Sequence, residues 1–245
     1  MSRPGASDRA ARPRGGAQRI PRPPDAAPGA PAPWAHLPAA DRAVDLATLA
    51  GRVAARGPGR PWIRVGRVPE PGRRPSAVLV ALYEERREPV VVLTKRATSL
   101  RANPGEIAFP GGRQDPGETP VATALREAWE ETALDPALPV VIGELDHLTT
   151  VTSRAFIVPV VARLPDRPEL VPAADEVAAV YHVPLAELLD DGVYREERWG
   201  SGPANRPVWF FELEGETVWG ATAAMLRQLL VVALGLESDR QERGA

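Results

Sequence analysis

The 245-residue chain contains no cysteine. That absence excludes a disulfide framework, a thiol nucleophile and a thiolate-bound zinc. Histidine is nearly as scarce: His36, His147 and His182 are scattered and make no metal-ligand spacing. Neither sign of charge is in excess, with 30 Lys and Arg against 32 Asp and Glu and a formal net charge of -2. Bulk electrostatics therefore give no case for nucleic-acid or membrane binding. The most apolar late stretch, Val218 to Leu236, is interrupted by Arg227 and Gln228 and reads as an amphipathic helix, not a membrane span. The N-terminus lacks the apolar core of a secretory signal, so the expectation is a soluble cytoplasmic protein. No internal repeat is present.

Proline and glycine, by contrast, are plentiful near the start. From Met1 to Pro33 the chain is rich in Pro, Gly, Ala and Arg, with Ile20 the one large aliphatic after Met1. Such a segment buries too little apolar surface to offset its ordering entropy, and disorder is expected. The organisation predicted is a disordered tail over 1–35, a helix and linker over 36–75, one well-cored domain over 76–236 and a flexible end over 237–245.

Asp41 to Arg56 reads as a helix that offers Val44, Leu49 and Val53 for packing. Ala77–Tyr83 and Val90–Thr94 are β-rich runs separated by the charged turn Glu84–Glu88, which suggests an antiparallel pair. Further strands are expected at Val140–Leu145, Phe156–Ala162, Val177–Val183 and Val208–Leu213. A short helix opens at Pro184, and the last helix spans about Ala221 to Leu234. Strands with interspersed helices indicate an α/β fold with a mixed sheet sandwiched by helices.

The chemistry concentrates between Gly112 and Leu134. Thr119 and Pro120 form a helix start, a capping hydroxyl followed by a proline at the first helical position. At about 100° per residue, Val121, Leu125, Ala128 and Thr132 share a core stripe. Glu127, Glu130 and Glu131 crowd an arc of about 100° on the other side. Arg126 is expected to point elsewhere and serve a neighbour such as Glu118. Three repelling carboxylates make sense as a seat for a hard cation, which takes oxygen ligands and completes its shell with water and phosphate.

Gly112, Glu118, Arg126, Glu127, Glu130 and Glu131 fall at the spacing of the Nudix box, and the segment resembles the Nudix hydrolase family at every charged position. Two positions depart: Ala128 is smaller than the usual aliphatic, and Ala133 replaces the glycine expected at the helix exit. A left-handed exit costs alanine about 1 kcal/mol.

Immediately upstream, Phe109-Pro110-Gly111-Gly112 lets backbone N–H groups approach phosphate oxygens, so Gly111 and Gly112 are substrate-binding candidates. Lys95, Arg96 and Arg101 add cations to the same approach. Leu93-Thr94, Arg96-Ala97, Arg101, Gly105 and Phe109–Gly112 are similar in spacing to a signature of Nudix enzymes that hydrolyse coenzyme A. Val92 stands where Leu or Met is usual, and Asn103 where histidine is frequent. Ala174–Val177, Val183–Leu185 and Val218–Thr222 also resemble that subfamily, so the likeness runs from Ala77 to Leu234.

The resemblance implies an α/β/α sandwich and a diphosphatase acting on CoA or acyl-CoA as its small-molecule partner. It implies Mg2+ or Mn2+ held by Glu127 and Glu131 with Glu130 close by. Glu130 is the first candidate for general base and Glu176 the second, while Arg126 orients the carboxylates. Nudix relatives are often dimers, so a homodimer is admitted, though nothing marks an interface. Two rival readings stand beside this one: hydrolysis of another nucleoside diphosphate such as ADP-ribose or a dinucleotide, and a Nudix-fold protein that binds without turnover.

Overall fold

The computed structural model describes residues 14–59, 72–150, 155–202 and 205–236. Its first described segment is laid along a sheet. Gly15 N–H donates to the Leu213 carbonyl at 2.8 Å, Arg22 pairs with Glu197 at 2.8 Å, and strand β1 (Ala27–Pro28) adds to a sheet edge. These contacts run through residues 14–33, within the stretch for which the sequence suggests disorder. Backbone hydrogen bonds and ion pairs hold the segment, and an argument from apolar content does not register either. The expectations for residues 1–13, 237–245 and the 60–71 part of the linker lie outside the described residues.

After a 3-10 turn at Ala39–Arg42, helix α1 (Leu46–Ala55) starts where Asp45 accepts the Thr48 N–H at 2.7 Å. Strands β2 (Arg74–Glu85) and β3 (Glu88–Arg96) form the expected hairpin. Its two-residue turn puts Arg86 and Arg87 at φ +51° and +67°, the geometry that matches strand twist. Then come β4 (Ile107–Ala108), β5 (Gly111–Arg113), helix α2 (Pro120–Thr132), β6 (Val140–Glu144), β7 (Leu148–Thr149) and β8 (Ala155–Arg163). The chain continues through β9 (Val177–Pro184), α3 (Leu185–Leu188), β10 (Tyr194–Trp199), β11 (Arg206–Leu213), β12 (Glu216–Trp219) and α4 (Gly220–Leu234).

The central sheet runs β4-β3-β2-β8-β6, with β5, β7 and β9 pairing onto β2, β8 and β3. It is mixed, because β2 and β8 lie parallel from Arg74↔Ala155 to Leu82↔Arg163 while the other pairs are antiparallel. Successive residues of β2 and β3 face opposite layers. Ala77, Leu79, Ala81, Val90 and Val92 pack with Ala124 and Ala128 of α2. Val80, Leu82, Val91 and Leu93 join the larger core of α1, α3 and α4. The result is the expected α/β sandwich. Joined to it is a second antiparallel sheet, β1-β10-β11-β12.

That second sheet was expected only at β11. Strand β10 reads Tyr-Arg-Glu-Glu-Arg-Trp, and its charges mask the alternation that would mark a strand. Helix α4 also differs from the amphipathic expectation, since Arg227 and Gln228 are buried with the rest. Gln228 is accommodated by a polar partner: its amide donates to Asp146 at 2.7 Å, and Asp146 also pairs with Arg56 at 3.1 Å. Among the described residues, no helix is long and apolar enough to cross a membrane.

Candidate active site

Helix α2 begins as expected, with the Thr119 hydroxyl accepting from Ala122 N–H at 3.2 Å and Pro120 in the first turn. It ends at Ala133, which adopts the left-handed conformation (φ 55°, ψ 22°) that glycine would take without strain. The departure at this position leaves the exit geometry intact.

The buried face of α2 is turned relative to the expected stripe. Thr123, Ala124, Ala128 and Thr132 are buried while Val121 and Leu125 are half-buried, and the buried set includes Glu131 at 4% exposure. The carboxylates therefore do not stand back to back with the core; one of them belongs to its edge.

Arg126 joins most of the others. Its Nε and Nη2 donate to Glu118 at 2.8 and 3.1 Å, as expected of a residue serving that neighbour. It does not point away from the cluster, however. Nη1 donates to Glu127 at 3.1 Å and to Glu130 at 2.8 Å, because Glu130 lies one turn along the same flank. Glu118 also accepts from Thr123 Oγ1 at 2.8 Å and Asp115 N–H at 3.0 Å. These bonds, the Arg126 guanidinium first among them, hold its pKa down at about 2.

Glu131 has no such guanidinium in bonding contact. It accepts the Gly111 N–H at 3.1 Å, and Arg96 Nη1 stands 3.9 Å away. Burial pushes its pKa up to about 7, and the charges of Glu127 and Glu176 push the same way. Glu127 is raised too, chiefly by burial, against the pull of Arg126. A Cβ on Gly112 would lie 2.5 Å from the Glu127 carboxylate, so glycine is what admits that side chain. Glu176 reaches the group through the segment before β9. Val171 and Ala173 donate to the last carbonyls of α2, Thr132 and Glu131, and Ala97 N–H donates to the Glu176 carbonyl at 2.8 Å.

Gly111, Gly112, Arg96, Glu127, Glu131 and Glu176 are thus brought together, with Arg126 at one side. Glu130 lies outward, half-exposed and bonded to Arg126. Arg101 is exposed on the loop between β3 and β4. Lys95 differs from expectation: it follows strand alternation onto the opposite face of the sheet, where it pairs with Glu216. Glu106, which no motif marks, lies just before β4. It is half-buried, which raises its pKa, and the Arg96 charge opposes that rise.

Among the described residues, no group of three or more carboxylate or histidine side chains is placed to hold a metal ion. A hard dication does not require one, since one or two carboxylates suffice when water and phosphate complete the shell. The donors suit it: oxygen-only, mutually repelling, and partly deprived of solvent at Glu131.

A family model described as the NUDIX domain matches residues 72–201. The chain belongs to the Nudix family. An uncharacterised Nudix hydrolase NudL of Cronobacter sakazakii is 40% identical over 158 residues, 64% of this chain and 81% of that one. The NudL of an Enterobacter species is 38% identical over the same shares. Among solved structures, a C. elegans Ap4A hydrolase binary complex aligns with a TM-score of 0.41 at 19% identity, covering 46% of this chain and 80% of that one. A MutT/nudix family protein from Enterococcus faecalis aligns at 0.44 and 16%, covering 66% and 63%. This Nudix hydrolase carries its box from Gly112 to the αL residue Ala133.

Proposed function

We propose that this Nudix hydrolase cleaves the diphosphate bond of coenzyme A or an acyl-CoA. The products would be 4'-phosphopantetheine, or its acyl form, and adenosine 3',5'-bisphosphate. One observation carries the reading. The run from Leu93 to Gly112, similar to the signature of CoA-hydrolysing relatives, meets the carboxylate helix at two points. Those points are the Gly111 bond to Glu131 and the approach of Arg96 to Glu131.

Glu127 and Glu131 would hold Mg2+ or Mn2+, with Glu176 beside them. Once bound, the dication would neutralise diphosphate oxygens and lower the pKa of a water. Arg96 is suited to a phosphate oxygen, since a planar guanidinium can donate two parallel bonds. Water adds to phosphorus as the bridging P–O bond breaks, and the water's proton must pass to a base.

Two carboxylates are available for that proton. Glu130 is occupied by its bond to Arg126; Glu176 is exposed and close enough for its charge to raise the pKa of both Glu127 and Glu131. This favours Glu176 as base. The larger fall in kcat between Glu130→Gln and Glu176→Gln decides it.

The substrate reading is tested with CoA, an acyl-CoA, NADH and ADP-ribose, each with and without Mg2+, and products resolved by chromatography. Fastest magnesium-dependent loss of CoA or acyl-CoA is expected. Preference for ADP-ribose or a dinucleotide would give the site to another nucleoside diphosphate derivative, a reading favoured by the withdrawal of Lys95 from the phosphate side. Metal-saturated protein that hydrolyses none of them would reject both.

A further inference from the structure

Behind the active site, on the rear face of the central sheet, Glu216 collects three donors from three separate parts of the chain. It sits at the start of β12 and is 8% exposed. Oε1 accepts from the Lys95 ammonium of β3 and from the Tyr181 hydroxyl of β9 at 2.8 Å. Oε2 accepts from the Gln18 amide at 2.6 Å, and Gln18 in turn bonds the Thr217 backbone at 3.2 and 3.3 Å. Each bond to an ionised carboxylate is of the stronger, charge-assisted kind.

The position of this clamp matters more than its strength. Strands β3 and β9 pair in regular register up to Lys95↔Ala179, and the register then slips so that Arg96 faces Val177. Bulges of this kind re-aim the side chains that follow. Directly beyond the slip, Arg96 approaches Glu131 on the front face, and Ala97 N–H anchors the backbone of Glu176. Both strands that lead to these residues are gripped from behind by one carboxylate, on β3 through Lys95 of the last regular pair and on β9 through Tyr181, which pairs with Leu93.

We propose that Glu216 is a positioning residue for hydrolysis, setting the β3–β9 bulge so that Arg96 and Glu176 face the carboxylates of α2. The N-terminal segment shares in this through Gln18. The inference rests on the site reading above, in which Arg96 and Glu176 face substrate, but not on the choice of CoA. Displacement of a catalytic constellation by about 1 Å from a remote change costs up to about a hundredfold in rate.

The test is a double-mutant cycle on the full chain, with turnover followed on whichever diphosphate is hydrolysed fastest and melting temperature measured for every variant. Glu216→Gln keeps the shape, removes the charge and turns an amide toward the Gln18 donor. It is expected to reduce kcat/KM roughly tenfold in the wild-type background, and by less than about threefold in an Arg96→Ala background. Equal factors in both backgrounds would overturn the proposal, since a merely structural defect carries through unchanged. If Glu216→Gln does not fold, Tyr181→Phe and Gln18→Ala each remove one donor and enter the same cycle with smaller factors. Again, loss that is independent of Arg96 overturns the proposal. An Arg96→Ala variant with unchanged turnover would remove the site reading and this inference with it. A loss in Arg96→Ala without coupling removes this inference alone.

Discussion

The backbone N–H of Gly111 donates to Glu131 Oε2 across 3.1 Å, so the Pro-Gly-Gly turn and the acidic helix are hydrogen-bonded to each other directly. A carboxylate flank turned to open solvent would have left the box as a charged surface. Here its most buried member is tied to the Pro-Gly-Gly turn, and the next glycine makes room for its neighbour Glu127.

That packing predicts the effect of Gly112→Ala. The added Cβ would stand 2.5 Å from the Glu127 carboxyl carbon and oxygens, and the side chain can yield only by leaving its position. The variant is expected to fold, to bind Mn2+ at least tenfold more weakly by titration, and to lose turnover in proportion. Wild-type metal affinity would show that Glu127 is not a ligand.

Glu131→Gln tests the other proposed ligand in two ways. Turnover at saturating magnesium should fall by orders of magnitude, and near-wild-type activity would refute the assignment. The second reading needs no activity. Glu131 has a folded pKa of about 7 against 4.5 for the free group. Its raised value contributes stability that is complete below about pH 4.5 and is lost as pH rises through about 7. Metal-free wild type should therefore lose ground to Glu131→Gln between pH 5 and pH 8, by on the order of 1–3 kcal/mol. Added Mg2+ should raise the melting temperature of the wild type and not of the variant.

Ala133→Gly relieves a left-handed alanine at φ 55°. It should stabilise the protein by about 1 kcal/mol, a rise of roughly 2–4 °C in melting temperature, with kcat unchanged. A lower melting temperature would mean that the surrounding structure already absorbs the strain.

Arg96→Ala probes recognition. If Arg96 reads the 3'-phosphate, KM should rise more for CoA than for dephospho-CoA; equal losses would restrict Arg96 to the diphosphate.

Asp146→Ala tests the buried polar bond network beneath α1 and α4. Asp146 accepts Gln228 at 2.7 Å and Arg56 at 3.1 Å. Breaking a buried pair by removing one partner costs about 3–5 kcal/mol, and denaturant unfolding should show a loss of that size.

Much of this was legible in the chain itself. The hairpin of β2 and β3 follows from two β-rich runs around a charged turn, and α2 from its cap, its proline and its carboxylate spacing. These are local signals, set by torsional preference and by periods of two and 3.6 residues. What escaped depends on distant partners. Strand β10 is a strand because β1 and β11 hydrogen-bond it, not because its own residues alternate in polarity. Residues 14–33 are ordered by bonds to Glu196, Glu197 and Glu216, far along the chain.

By itself the sequence determined the Nudix box, the catalytic chemistry it allows and the sandwich that carries it, because those depend on residue types at short, regular spacing. Only the tertiary structure decided how the charges are divided. Strand alternation sends Arg96 to Glu131 and its neighbour Lys95 to Glu216. Helix rotation buries Glu131 while leaving Glu130 to Arg126. Which face a charge occupies depends on what packs against each side of its element, and spacing along the chain does not carry that information.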